Sequence, residues 1–357
     1  LLWLFYTSGT TGRPKGVMIS AGNISSMALT YFSDVDDVTA EDAILYAAPM
    51  SHGAGIYNFM HVIKGARHVV PDSHGFDADE ILGLAPKIDN ISMFAAPTMV
   101  KRLVERARAI GSNGQGIKTI TYAGGPMYVA DIIAAVEILG DKFVQVYGQG
   151  ECPMGITALR RDFVSDRTHP NWRARLGSVG VAQSPVLVRI GDELGATLPL
   201  GEVGEVLVSG TIVMSGYWQN PEATAKTIQD GWLWTGDMGA MDEDGFVTLH
   251  DRSKDMIISG GSNIYPREVE EVLLELEFVA EVAVVGRVCV CVFVSLCVFF
   301  FFFVFYFLFF FFFFLSLIHF SFPSFPFFFS FSFFFFSLFL FSFFFFLFFF
   351  SFSFFFF

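Results

Sequence analysis

Tyr6-Thr7-Ser8-Gly9-Thr10-Thr11-Gly12-Arg13-Pro14-Lys15-Gly16 packs Ser and Thr hydroxyls, three glycines and a lysine into eleven residues. Glycine lets backbone N–H groups converge on an anion, the hydroxyls add donors, and Lys15 supplies charge, so the stretch reads as a phosphate cradle. It is not a Walker A loop, because no Gly-Lys-Ser/Thr follows at the required offset. A polar glycine-rich turn is the ordinary meaning of one such stretch. The density of suitable groups argues against that meaning here.

Downstream of the cradle, Ala43–Ala48, Arg67–Val70, Ile117–Ala123 and Phe143–Tyr147 are apolar runs closed by glycine-bearing turns, and they read as strands. Between them Asp79–Ile88, Pro97–Ala109 and Val129–Leu139 carry helical patterns. This alternation predicts an α/β fold with a mostly parallel sheet over residues 1–176. From Gly177 the pieces become shorter (Val186–Ile190, Gly204–Ser209, Phe246–His250) and predict a small β-rich subdomain over 177–251. A third unit, an α+β domain cut short, spans 252–287. There Pro266 suits a first helical position, Val269, Val272, Leu273 and Leu276 recur at helical spacing, and Val279–Val285 reads as a strand.

Composition divides the 357 residues sharply. Of 48 Phe, 39 lie at or beyond Phe293, and three of the four cysteines lie beyond Arg287, the last charged residue. Lys+Arg number 22 against Asp+Glu 35, a net charge of −13 carried by residues 1–287. An acidic body without a basic groove argues against nucleic-acid binding. Its lone Cys152 excludes an internal disulfide and a cysteine zinc site there, and fits a cytoplasmic protein. Cys152 itself reads as a buried small residue. Leu1–Tyr6 is too short and lacks the basic residues for a signal peptide, and is expected to be interior sequence of a longer protein. The tail 288–357 has the length and apolarity of a membrane anchor but is low-complexity, without the flanks or mixture of a real span. Val288–Val294 alternates Val and Cys as a GTGTGT repeat would encode. The expectation is non-coding read-through, which spliced transcripts running into the Phe codons would refute.

Later segments give the cradle its context. In order come Pro49-Met50-Ser51-His52-Gly53, Ala123-Gly124-Gly125-Pro126-Met127, Tyr147-Gly148-Gln149-Gly150-Glu151 and Trp234-Thr235-Gly236-Asp237. Asp251-Arg252-Ser253-Lys254-Asp255 and Gly260-Gly261-Ser262-Asn263-Ile264-Tyr265-Pro266 follow. Together with Leu4–Lys15 they resemble the ordered motifs of the adenylate-forming superfamily, which includes acyl-CoA synthetases, peptide-synthetase adenylation domains and beetle luciferases. The likeness covers residues 4–287. It implies the adenylate-forming fold without part of its N-terminal domain, and the cofactors ATP, Mg²⁺ and CoA with a small carboxylic acid as substrate. Thr7, Ser8, Gly9, Thr10, Thr11, Gly12 and Lys15 would hold phosphate. Gly124, Gly125, Pro126, Tyr147 and Gly148 would contact adenine, with Tyr147 stacking on it. Asp237 and Arg252 would grip the ribose, Thr10 and Glu151 would bind Mg²⁺, and Gly260 and Gly261 would approach CoA. His52 would lie near the acid and Lys254 would be the pivot between domain orientations.

Blander readings stand beside these. His52 alone suits a hydrogen-bonded structural histidine, Tyr147 a core residue at a strand end, and Glu151 a solvated carboxylate. Asp237, flanked by glycine, suits a turn, and Arg252 and Lys254 suit plain surface charge. Many relatives carry Thr where Gly150 stands, so a hydroxyl is absent and extra space is expected beside the acid. Tyr57, Gly125, Gly148, Gly150 and Met154 are candidate pocket residues compatible with a hydrophobic acid.

The resemblance implies acid activation to acyl-AMP and then thioester formation with CoA. The run from Gly260 to Glu270 looks most like fatty-acyl and aryl-CoA ligases, whereas peptide-synthetase domains differ there and hand over to a carrier domain. The family's adenylation lysine has no counterpart in 4–287, and the tail contains no lysine. The chain is therefore expected to adenylate poorly, which normal pyrophosphate exchange would contradict. A non-catalytic product that aggregates, or that meets membrane through the tail, is the alternative from another class.

Overall fold

The computed structural model describes residues 1–7, 14–252, 257–259, 262–274, 279 and 282–285. Ser8–Gly12, Lys254, Gly260, Gly261 and the Phe-rich tail lie outside the described residues.

Strands β1 (Trp3–Thr7) and β2 (Lys15–Ile19) form an antiparallel hairpin around the cradle, with Thr7 facing Lys15. Seven strands then build the main sheet: β3 (Ala43–Leu45), β4 (Arg67–Val69), β5 (Ile91–Ala95), β6 (Ile117–Tyr122), β7 (Phe143–Gln149), β8 (Cys152–Leu159) and β9 (Val181–Ala182). Their order is β4-β3-β5-β6-β7-β8-β9, parallel from β4 to β7 and antiparallel thereafter. The order in which strands are added reverses between β3 and β5, since β4 lies on one side of β3 and β5 on the other. In open α/β sheets the crevice at such a reversal, beyond the strands' carboxyl ends, is where ligands bind.

Both faces of this sheet are covered, as a parallel sheet requires. Helices Ala78–Ile88, Pro97–Ile110 and Val129–Leu139 pack on one face, where Ala43 and Leu45 meet Ile81, Leu103 and Ile132. Ile44, between them on β3, points to the other face, which carries the helices Ala21–Thr30 and Asn58–Lys64. Local signals set the helix ends. Ser20 and Asn23 form a reciprocal capping box, Asp77 caps Ala78–Ile88, and Pro97 opens a helix that Gly111 closes in the left-handed region.

The second sheet is antiparallel, from β10 (Val186–Gly191), β11 (Gly204–Gly210), β12 (Ile228–Gln229), β13 (Trp232–Met241) and β14 (Val247–Arg252). Its Val186, Val206, Val208 and Leu233 join one apolar core with Ile24, Tyr57, Val144 and Ile156. Asn23 fastens the two parts by donating to the carbonyls of Thr211 (2.7 Å) and Val213 (2.9 Å). A last hairpin, β15 (Ile257–Ser259) with β16 (Ser262–Ile264), precedes the helix Pro266–Leu274 that the sequence predicts. Of the strand expected over Val279–Val285, residues 280 and 281 lie outside the described residues, and the described residues 279 and 282–285 are not in a strand. Among the described residues no helix is long and apolar enough to cross a membrane.

Candidate active site

Three of the singled-out segments sit just beyond the carboxyl ends of parallel strands. Pro49–Gly53 follows β3, Ala123–Met127 follows β6, and Gly150–Glu151 is the turn from β7 into β8. The helix opened by Pro97 follows β5, and the β1–β2 hairpin abuts the β7–β8 turn.

The segments bearing His52 and Gly124 meet at a ring that sequence reading missed. Phe94, near the end of β5, places its Cζ 4.0 Å from where a β-carbon on Gly53 would lie and 3.9 Å from one on Gly124. Tyr57 stacks on the same ring at 5.5 Å between centroids. His52, Gly124 and Tyr57 thus belong to segments that converge on Phe94. His52 is exposed, and its Nδ1 lies 3.1 Å from Ser51 Oγ. Tyr57 is 2% exposed and packs edge-on against Tyr31, so its body belongs to the core. No sequence period marks Phe94; only its place at the end of a strand between two glycine-bearing loops could have done so.

Tyr147 is not a surface ring at the end of β7: it is buried, and its hydroxyl donates to Asp237 Oδ2 at 2.6 Å. Burial, reinforced by the Asp237 carboxylate, holds this phenol well above its usual pKa, so it remains the donor. Nor does Gly150 open extra space. A β-carbon there would lie 2.3 Å from Thr7 Cγ2 and 3.2 Å from the Phe5 ring, so the volume is already filled by β1. Gly148 is small for a different reason. Its β-carbon would lie 2.4 Å from the Met154 backbone nitrogen, because β8 bulges opposite it and carries Met154 at φ 46°. Bulges that re-aim a chain are frequent beside active sites.

Asp237 occupies a bulge of β13, not a free turn. Between the pairs Glu205–Met238 and Leu207–Trp234, β13 holds three residues against the single Val206 of β11. Gly236 takes φ 73° there, its N–H donates to Glu205 Oε1 at 2.7 Å, and Thr235 Oγ1 donates to the Val206 carbonyl at 2.7 Å. The bulge turns Asp237 toward Tyr147. Arg252, whose backbone is described, pairs with Asp237 in register at the end of β14.

Glu151 is not a solvated carboxylate: it is 8% exposed, and Oε1 accepts from the Tyr217 hydroxyl at 2.5 Å. Lys15 Nζ lies 3.4 Å from the same hydroxyl and 4.4 Å from the centre of the Tyr217 ring. Cys152, fully buried, has its thiol pushed up by burial and by Glu151, and remains an unreactive core residue. Tyr217 was missed in the sequence, where it stands outside the motifs in Ser215-Gly216-Tyr217-Trp218. Among the described residues no cluster of three His, Cys, Asp or Glu could enclose a metal. A single carboxylate of this kind suits Mg²⁺, which takes one or two carboxylates and completes its shell with phosphate and water oxygens.

Comparison with known proteins agrees with this geometry. The model of the AMP-binding enzyme family matches residues 1–218. A feruloyl-CoA synthase of Amycolatopsis sp is 36% identical over 285 residues, 79% of this chain and 56% of that protein. The medium/long-chain-fatty-acid–CoA ligase FadD8 of Mycobacterium tuberculosis is 35% identical over 80% of this chain and 48% of its own length. The O-succinylbenzoate coenzyme A synthetase of Bacillus subtilis, solved in complex with AMP, superposes with a TM-score of 0.71 at 33% identity, covering 81% of this chain and 57% of that one. The same synthetase has been solved with ATP and a magnesium ion, at a TM-score of 0.71 and 34% identity over 80% of this chain and 57% of that one. The chain spans about half the length of the curated relatives it matches. Motif order, sheet topology and these likenesses agree: the chain belongs to the AMP-binding enzyme family of the adenylate-forming superfamily.

Proposed function

We propose that the chain belongs to an acyl-CoA synthetase and supplies its nucleotide- and acid-binding surfaces. A carboxylate is a poor electrophile. Joined to the α-phosphate of ATP, with pyrophosphate leaving, it becomes a mixed anhydride whose acyl carbon the CoA thiol can attack, releasing AMP. Bound Mg²⁺ supplies charge neutralisation on the phosphates, and Glu151 would hold it. Lys15 and the hydroxyls of the cradle would neutralise and orient the same phosphates. Tyr147 would meet the base, and Asp237, aimed by the Tyr147 hydroxyl, would accept from the ribose hydroxyls. The acid would lie along Phe94 with His52 at the entrance. Arg252, Lys254, Gly260 and Gly261 complete the proposal as ribose contact, pivot and CoA approach.

The observation that carries this reading is the grouping of Lys15, Glu151 and Tyr217 at the end of β7, where Tyr147 of the same strand is bonded to Asp237 of β13. An apolar or aromatic ring beside the acid, and relatives named for ferulate and for medium or long fatty acids, favour a hydrophobic carboxylic acid. Calorimetry of the chain with ATP, with MgCl₂ or EDTA, tests the nucleotide half. Non-hydrolysable acyl-sulfamoyl adenosines bearing aryl or fatty chains test the acid half. The expected result is Mg²⁺-strengthened ATP binding and tighter binding of the acyl mimics than of AMP. No nucleotide binding with Mg²⁺ present would overturn the proposal.

A further inference from the structure

Lys15 and Glu151 are opposite charges that share one neighbour, the Tyr217 hydroxyl. It donates to Glu151 Oε1 at 2.5 Å and stands 3.4 Å from Lys15 Nζ, while the ring lies under the ammonium at 4.4 Å. The Tyr217 side chain is 4% exposed, and its hydroxyl is the donor to Glu151.

The segment bearing Tyr217 is fixed at both ends to the groups it serves. Met214 N–H donates to the Glu151 carbonyl at 2.8 Å. Ser215 and Trp218 donate to the carbonyls of Met18 and Gly16, and Met18 donates back to Gly216, so the segment lies along β2 as a short extra strand. Tyr217 N–H is held by Thr224 Oγ1 at 2.9 Å, from the helix Pro221–Thr227. This strap touches the backbone of both the lysine strand and the glutamate turn. Its side chain then stands between the two charges.

We propose that Tyr217 is a positioning residue that acts as a neutral spacer: it aims the Glu151 carboxylate and keeps Lys15 from closing an ion pair with it. The chemistry requires this separation. A direct Lys15–Glu151 pair would satisfy each charge with the other and compete with the phosphates for the lysine and with Mg²⁺ for the carboxylate. A protonated phenol gives Glu151 one strong charge-assisted bond and leaves its negative charge in place. The ring gives Lys15 a resting place that retains its positive charge. The proposal rests on the reading of Glu151 as the Mg²⁺ carboxylate.

The test compares Tyr217→Phe, Glu151→Gln and the double variant in the 357-residue chain. Calorimetry with α,β-methylene-ATP, in MgCl₂ and in EDTA, separates the Mg²⁺-dependent gain in affinity from the Mg²⁺-free affinity. Tyr217→Phe keeps the ring under Lys15 and is expected to cut the gain about tenfold while changing the EDTA affinity less than about twofold, the loss of one hydrogen bond to a charged group. A merely structural role would lower both. Glu151→Gln should abolish the gain, and the double variant should lose no more than Glu151→Gln alone. Additive losses, or an unchanged gain in Tyr217→Phe beside an abolished one in Glu151→Gln, would overturn the spacer and leave the metal reading intact. An intact gain in Glu151→Gln would overturn the metal reading and the spacer with it. If Tyr217→Phe melts early, Thr224→Val, which removes only the hydroxyl holding the Tyr217 N–H, should weaken the gain in the same selective way. Equal losses with and without Mg²⁺ would count against the proposal.

Discussion

The Tyr147 hydroxyl donates to Asp237 Oδ2 at 2.6 Å, joining strand β7 of the main sheet to the bulge of the antiparallel one. On the proposed reading, the ring that would meet the base and the carboxylate that would meet the ribose form one unit. Tyr147→Phe keeps the ring and frees the carboxylate from this donor. ATP affinity should fall about tenfold, the worth of a hydrogen bond to a charged group, with little change in melting temperature. Calorimetry beside a thermal scan checks it, and unchanged affinity would detach Asp237 from nucleotide binding.

The β7–β8 turn tolerates added atoms unequally. At Gly148 a β-carbon meets backbone, 2.4 Å from Met154 N and 2.8 Å from Cys152 O, so nothing can swing aside. Gly148→Ala should cost about 3 kcal/mol in urea unfolding. At Gly150 the obstacle is the Thr7 methyl, which can rotate. Gly150→Thr should cost only about 1–2 kcal/mol, and adding Thr7→Ala should recover part of that. Equal costs at the two glycines would contradict the geometry.

Phe94→Ala should distinguish the two halves of the ligand. Removing the ring shared by Gly53, Gly124 and Tyr57 should weaken aryl- or fatty-acyl-sulfamoyl adenosine about tenfold while leaving AMP affinity within about twofold. Competition binding against a fluorescent adenosine analogue reads both values. A parallel loss of AMP would move Phe94 out of the acid site.

His61 makes the fold sensitive to acid. Its ring is fully buried, Nδ1 donates to the Tyr57 carbonyl at 2.7 Å, and Nε2 has no hydrogen-bond partner. Burial lowers its pKa below 6.5, so the unfolded chain takes up this proton first as pH falls. Stability from this group is complete above about 6.5 and drains as pH drops toward the lowered value. Stability should therefore be lower at pH 5.5 than at pH 7.5. Urea unfolding at the two pH values should show that difference shrinking in His61→Gln.

Much of this was legible beforehand, for local reasons. Ala43–Leu45, Ile117–Tyr122 and Phe143–Gln149 are largely buried runs that lead into glycine-bearing turns, and such runs announce themselves as parallel strands. Ile91–Ala95 passed unnoticed because Ser92 interrupts its apolar pattern, and the fully buried β8 because Pro153 and Gly155 disguise a bulged strand. The Trp234–Asp237 motif was legible as chemistry but not as shape, since a bulge depends on what β11 offers opposite Gly236. Tyr217 was the deeper omission. It lies 66 positions from Glu151, and no period or spacing relates residues brought together by a strap alongside another strand.

The apolar core shared by the two sheets has a practical consequence for anyone dissecting this polypeptide. Severing it after Leu176 would not release two self-sufficient modules. Val186, Val206 and Leu233 would leave with one piece and Ile24, Val144 and Ile156 with the other. Each half would carry an uncovered oily surface into water and would be expected to precipitate unless the two were produced together.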